Sequence, residues 1–233
     1  MYHSITFGDK NTWDDWHLVP TSRPIFAPPD VKTKTLDIPG ADGELNLNEL
    51  LTGYPVFRNR QGSMEFIVVN GYWSWDVAYS TIMNYLHGKP LKAILEDDPA
   101  YFYEGRFSVS DWKSDKSWSL ITIDYSVYPY KKELVSSVEE WLWDPFNFES
   151  GVIRYTKDLP VNGELTVTIV GSPQRLNPII TASDAMTVEF NGNHYSLVKG
   201  AQKVGQILFH EGENTLKFTG TGTVSVDYRG GML

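Results

Sequence analysis

Two hydrophobic periods run along this chain, and each predicts its own kind of element. Between residues 75 and 86 the apolar side chains Trp75, Ala78, Tyr79, Ile82 and Leu86 recur at i, i+3, i+4, i+7 and i+11, while Asp76, Ser80, Asn84 and His87 take the other side. That is the 3.6-residue period of an amphipathic helix. Ser74 stands at the N-cap position, Asp76 lies in the first turn, and Gly88 with Pro90 supplies a stop. The spacing predicts one helix over residues 75–87, packed on a sheet with Ile82 and Leu86 inward.

Nearly everywhere else the period is two, the signature of strands with one buried face. Strands are predicted over residues 4–7, 16–20, 31–38, 54–60, 64–69, 91–95, 101–110 and 118–128. In the last of these Ile121, Ile123, Tyr125 and Val127 share a face. The last two should form a long hairpin across the polar loop 111–116. Pro20, Pro24, Pro28 and Pro29 force an extended excursion before the third strand, because proline offers no ladder donor. The glycines of Gly40-Ala41-Asp42-Gly43 suit a turn. Beyond it, Leu45 and Leu47 continue the alternation up to the breaker Thr52-Gly53.

From Glu164 onward the alternation is cleaner. Leu165, Val167 and Ile169 interleave with Glu164, Thr166 and Thr168. Met186, Val188 and Phe190 lead into Asn191-Gly192, a strong two-residue hairpin signal. Tyr195 and Leu197, Ile207 and Phe209, Leu216 and Phe218, then Val224, Val226 and Tyr228 continue the pattern. The expected fold is mainly β. An N-terminal β-sheet or sandwich domain with one packed α-helix spans residues 1–132. An aromatic connector spans 133–159, and a C-terminal antiparallel β-sandwich spans 160–233. The connector carries Trp141, Trp143, Phe146 and Phe148, too aromatic for a free linker, and is expected to pack against both neighbours.

Composition removes several functions. The 233 residues carry a formal charge of −9, which argues against a broad footprint for nucleic acid or an anionic membrane. Cysteine is absent, so disulfides, thiolate metal sites and thiol nucleophiles drop out. Apolar runs fall far short of the roughly 20 residues that span a bilayer, and Met1-Tyr2-His3-Ser4 does not read as a signal peptide. No membrane insertion is expected, and the protein is expected to be made in the cytoplasm. Eight Trp, thirteen Tyr and eleven Phe suit packed β structure and protein interfaces.

Candidate chemistry is thin. His3, His17, His87, His194 and His210 show no metal-ligand spacing and read as surface or turn residues. Glu96-Asp97-Asp98 before Pro99 could supply an acid/base or metal pair but reads first as a solvated turn. Asp42, Glu44, Asn46 and Asn48 alternate like calcium-loop oxygens, yet Leu47 occupies the position where an EF-hand loop needs glycine. There is no Gly-x-Ser-x-Gly and no phosphate loop. No catalytic, cofactor or metal site is expected. The rival to a structural role is a carbohydrate-binding, lectin-like β-sandwich protein. All eight Trp lie at or before Trp143, so the C-terminal sandwich lacks the usual sugar platform, although Tyr155, Asn193 and His194 remain candidates.

Ile38-Pro39-Gly40, Asp42-Gly43, Leu45-Asn46-Leu47 and Pro55-Val56-Phe57-Arg58-Asn59-Arg60 occur in that order. The chain closes on Gly222–Gly231, with Tyr228-Arg229-Gly230-Gly231 at its end. This ordered set resembles the distal tail proteins, or Dit, of long-tailed (siphovirus-type) bacteriophages and prophages. The resemblance implies a hexameric ring in the virion tail tip, assembled in the bacterial host cytoplasm. That ring is a hub with a central channel, joining the tail tube protein to a tail-tip or tail-associated protein and to receptor-binding or baseplate proteins. It also implies a ring-forming N-terminal domain and a galectin-like C-terminal domain, with no catalysis and no sequence-specific nucleic-acid contact. Pro39, Gly40, Asp42 and Gly43 become candidate turn or interface residues, and Trp141, Trp143, Phe146 and Phe148 candidate connector contacts.

Overall fold

A computed structural model describes residues 2–40, 42–69, 74–114, 119–140 and 153–233. Contacts divide the chain into two units, Met1–Asp98 with Phe102–Pro129, and Pro99–Tyr101 with Tyr130–Leu233. The fold is mainly β, in curled antiparallel sheets.

In the first unit the strands are β1 (Ile5–Phe7), β2 (Lys10–Asn11), β3 (Leu18–Pro20), β4 (Thr35–Asp37), β5 (Glu44–Asn46), β6 (Arg60–Val68), β7 (Lys89–Leu95), β8 (Tyr101–Ser114) and β9 (Ser119–Val127). Two helices join them, α1 (Leu47–Thr52) and α2 (Trp75–Leu86). The main sheet runs β2-β1-β7-β8-β9-β6-β3, while β4 and β5, among the described residues, pair only with each other. Along the centre, β6 and β9 stay in register from Arg60↔Val127 to Val68↔Ser119. One face of this sheet packs Phe7, Phe66, Phe107, Ile121 and Ile123 against Ile82 and Leu86 of α2. The period of 3.6 therefore reports a real apolar stripe, with Ala78, Ile82 and Leu86 buried.

The differences from expectation have local causes. Trp75 opens the helix too early to reach the core and stays 54% exposed. Ser74 sits at the N-cap, but its side chain makes no capping bond. Residues 54–59 are not a strand; they contribute one isolated bridge, Val31↔Phe57, and β6 begins only at Arg60. A second helix, α1, starts at Leu47, where strand alternation was expected to continue. The β8–β9 hairpin forms as expected but runs past Ser110, because a bulge between Val109 and Asp111 absorbs one residue and pairing then resumes.

The second unit holds β10 (Lys131–Glu133), β11 (Leu159–Gly171), β12 (Ile179–Ala182), β13 (Met186–Phe190), β14 (Asn193–Leu197), β15 (Gly200–Gln202), β16 (Gly212–Asp227) and β17 (Gly231–Met232). Its sheet is built on β16. One side of β16 pairs with β11 from Gly212↔Gly171 to Val224↔Leu159. The other side pairs first with β13, then with β12. Gly220 and Gly222, at φ 153 and 139, mark the change of partner. At Gly222 the backbone angle itself disfavours a side chain, and a Cβ there would also displace Ser183 Oγ, 2.3 Å away. Phe190, Leu216, Phe218, Val224 and Val226 fill the interior. Ile207 and Phe209 are buried there as well, but not in a strand: Phe209 makes a single bridge to Leu176.

Candidate assembly surface

In the first unit, the feature that stands apart from the main sheet is the segment between β3 and β6. It leaves the sheet through the proline-rich stretch, where Phe26 is the plug. The Phe26 ring lies 4.1 Å from that of Tyr103 and 4.8 Å from that of Tyr125, and the Ala27 N–H donates to Tyr125 Oη at 2.8 Å. Beyond Pro29 the chain forms an arm held together by its own bonds. At its base Arg58 N–H donates to Asp30 O and Lys32 N–H to Val56 O, each at 2.7 Å. Further out, Leu47 N–H donates to Lys34 O at 2.9 Å, and β4 pairs with β5 from Thr35↔Asn46 to Asp37↔Glu44. Asn48 Nδ2 donates to Lys32 O, which ties α1 to the incoming leg.

The arm's surface is unusual. Val31, Leu36, Ile38, Leu45, Leu50 and Leu51 are all exposed, Leu51 to 84%. They are six of the eighteen large apolar side chains exposed among the described residues, gathered within one short segment. Single exposed apolar residues are ordinary; a concentration marks a contact surface. A two-stranded hairpin with a short helix does not bury enough to hide its own leucines.

Pro39, Gly40, Asp42 and Gly43 form the exposed turn at the tip of this arm. Gly40 and Gly43 have φ of 87° and 77°, and nothing crowds the place of a Cβ at either. Their requirement is conformational, as the sequence implied. Trp141, Trp143, Phe146 and Phe148 lie outside the described residues.

The acidic turn turns out to be a fastener. Glu96 accepts bonds from Ser4 N–H at 2.7 Å and Ser4 Oγ at 3.1 Å. Asp97 Oδ2 lies 2.9 Å from His3 Nδ1 and 2.8 Å from Arg23 Nε. Burial works against the Asp97 charge, but the bonds from His3 and Arg23 outweigh it and hold the carboxyl below its ordinary range. Among the described residues no three of His, Asp and Glu come together as metal ligands, and no helix is long and apolar enough to cross a membrane. Asp42 and Glu44 sit around the arm's turn and on β5, and the chain enters α1 directly after Asn46, so the alternating oxygens follow a strand only that far.

On the second unit, Phe190, Phe209, Phe218 and Tyr228 are buried. Tyr155 is 53% exposed, and Asn193 and His194 are exposed on β14.

No family model matches the sequence, and no curated protein matches it. A solved structure does: that of SPP1 Dit (gp 19.1), described as a paradigm of the hub adsorption apparatus in phages infecting Gram-positive bacteria. The match covers 99% of this chain and 99% of that one, at a TM-score of 0.63 and 13% sequence identity. The chain has the fold of SPP1 Dit. At such low identity the shared feature is the β framework and not its surface, so the likeness to SPP1 Dit places neither the arm's leucines nor the acidic turn in a role.

Proposed function

We propose that this protein is a structural hub of a phage tail tip that assembles as a ring of identical copies. The observation that carries the reading is the likeness to a hub protein across the full length of both chains. The arm supports it, because a ring needs a heterologous contact, one surface of each copy meeting a different surface of the next. Six exposed apolar side chains on one arm supply such a surface. In this reading the ring is a hexamer around a central channel, and the first unit builds it, with the arm tip at Pro39, Gly40, Asp42 and Gly43 near the contact. The second unit then serves as a galectin-like spacer or protein-contact domain. Tail tube, tail-tip and receptor-binding or baseplate proteins are its partners, and the virion tail tip is its place.

Light scattering over a range of protein concentrations tests this. The expected result is a closed oligomer that the double substitution Leu50→Asp, Leu51→Asp converts to monomer without unfolding it. A monomer at every concentration, or an oligomer indifferent to those substitutions, would refute the arm-mediated ring. Titration with host cell-wall polysaccharide is the companion measurement. Saturable binding lost on replacing Tyr155 would place glycan recognition first.

A further inference from the structure

Arg60 is 5% exposed, and no ion pair involves it among the described residues. Its bonds all go to backbone carbonyls. Nε donates to Pro129 O at 2.7 Å, and Nη1 to Ala27 O at 3.1 Å and Phe26 O at 3.4 Å. Its guanidinium also lies over the Tyr103 ring, 5.6 Å from the centroid. Nη2 is buried without a partner. Burial disfavours the charged form, so a guanidinium placed here carries a desolvation cost that its hydrogen bonds must offset.

The carbonyls explain the need. Phe26 and Ala27 are the last residues before Pro28 and Pro29, where the chain leaves the sheet for the arm. Prolines bring no N–H, so this crossing is short of donors for its own carbonyls. Arg60 is also the first residue of β6, the point where the arm returns. One side chain thus grips the outgoing root from the incoming one. The planar fork sends Nε to Pro129 and Nη1 to Phe26 and Ala27 from separate, rigidly spaced nitrogens, whereas a lysine ammonium concentrates its donors on one flexible point.

We infer that Arg60 is the positioning residue of the arm: it fixes both roots to the sheet and so sets where the arm's exposed apolar side chains are presented to a neighbouring copy. The presentation clause rests on the hub reading; the anchoring clause does not.

Hydrogen exchange on the full chain, diluted to its smallest oligomeric state, tests the anchor with Arg60→Lys. Loss of the forked bonds should speed exchange in peptides covering residues 25–32 and 54–59 by about tenfold or more, with β8 and β9 unchanged. No change at the roots would overturn the proposal. So would an equal rise in β8 and β9, or loss of the fold, either of which would make Arg60 a general core residue. Light scattering on the same variant separates the two clauses. Loosened roots with reduced assembly support both, whereas loosened roots with undiminished assembly keep the anchor and overturn its part in presenting the arm.

Discussion

The hairpins β4–β5 and β13–β14 are built alike and buried differently. Both are antiparallel, and both turn on a glycine at φ 77°, Gly43 in one and Gly192 in the other. In β13–β14 the residues Met186, Val188, Phe190 and Leu197 are buried, and β13 pairs on into β16. In β4–β5, Leu36 and Leu45 are exposed to 49% and 39%, and among the described residues no further strand joins the pair. The difference shows what period-two alternation reports: a strand with an apolar face, whichever molecule covers that face.

The largest effect should come from Phe190→Ala, which opens a cavity beside Phe209 and should cost about 3–5 kcal/mol in denaturant unfolding. Leu36→Ala in the arm should cost under about 1 kcal/mol in the monomer. Equal losses would mean that the arm has a hidden core of its own. Leu86→Ala, on the buried face of α2, should cost about 2–5 kcal/mol, against less than about 1 for Asn84→Ala on the same helix.

A finer test uses the shared glycine geometry. Gly192→Ala and Gly43→Ala both force a side chain into left-handed backbone with open space around it, at a local cost of about 1–2 kcal/mol. At Gly192 that cost should register in global unfolding. At Gly43 it should register in assembly, measured by light scattering, while the melting temperature barely moves.

A last effect appears only at alkaline pH and belongs to the second unit. Burial pushes the Tyr228 hydroxyl up to about 12, above the ordinary value near 10. The folded state therefore keeps a proton that the unfolded chain has lost, so stability is complete below about pH 10 and falls as pH rises towards 12. Tyr228→Phe should flatten that part of the stability profile. A decline of the same slope in the variant would assign it to other groups.

Some of this was legible in the sequence for identifiable reasons. Helix α2 announced itself because Ala78, Ile82 and Leu86 face one core over three turns. Asn191-Gly192 and the glycines at the arm tip were legible because their constraint is local. Helix α1 was not: its six residues carry Leu47, Leu50 and Leu51 at helical spacing, but Leu45 before them continues a strand alternation. Strand β12 was missed because only four residues follow Pro178, and Ile179 and Ile180 stand side by side. Exposure of the arm's leucines could not be read at all, since a leucine looks the same whether its partner is intramolecular or not. Arg60 closes the Pro55–Arg60 motif, but its grip depends on Phe26 and Pro129, remote in sequence, and no local pattern encodes that.

The fastening of β1 has a consequence for the order of folding. Ile5, Thr6 and Phe7 pair with Leu95, Ile94 and Ala93, and Glu96 and Asp97 hold Ser4 and His3 beyond them. That closure spans some 90 residues of chain, whereas β8 and β9 pair up to Ser114↔Ser119, residues close together in sequence. Loop-closure entropy must be met before such distant pairing returns anything, so remote strands join late. The β8–β9 hairpin, with β6 laid alongside, should make the nucleus. β1 should be stitched on at the end, so substitutions at Ile5 should speed unfolding and leave the folding rate nearly untouched, while those at Ile123 should slow folding itself.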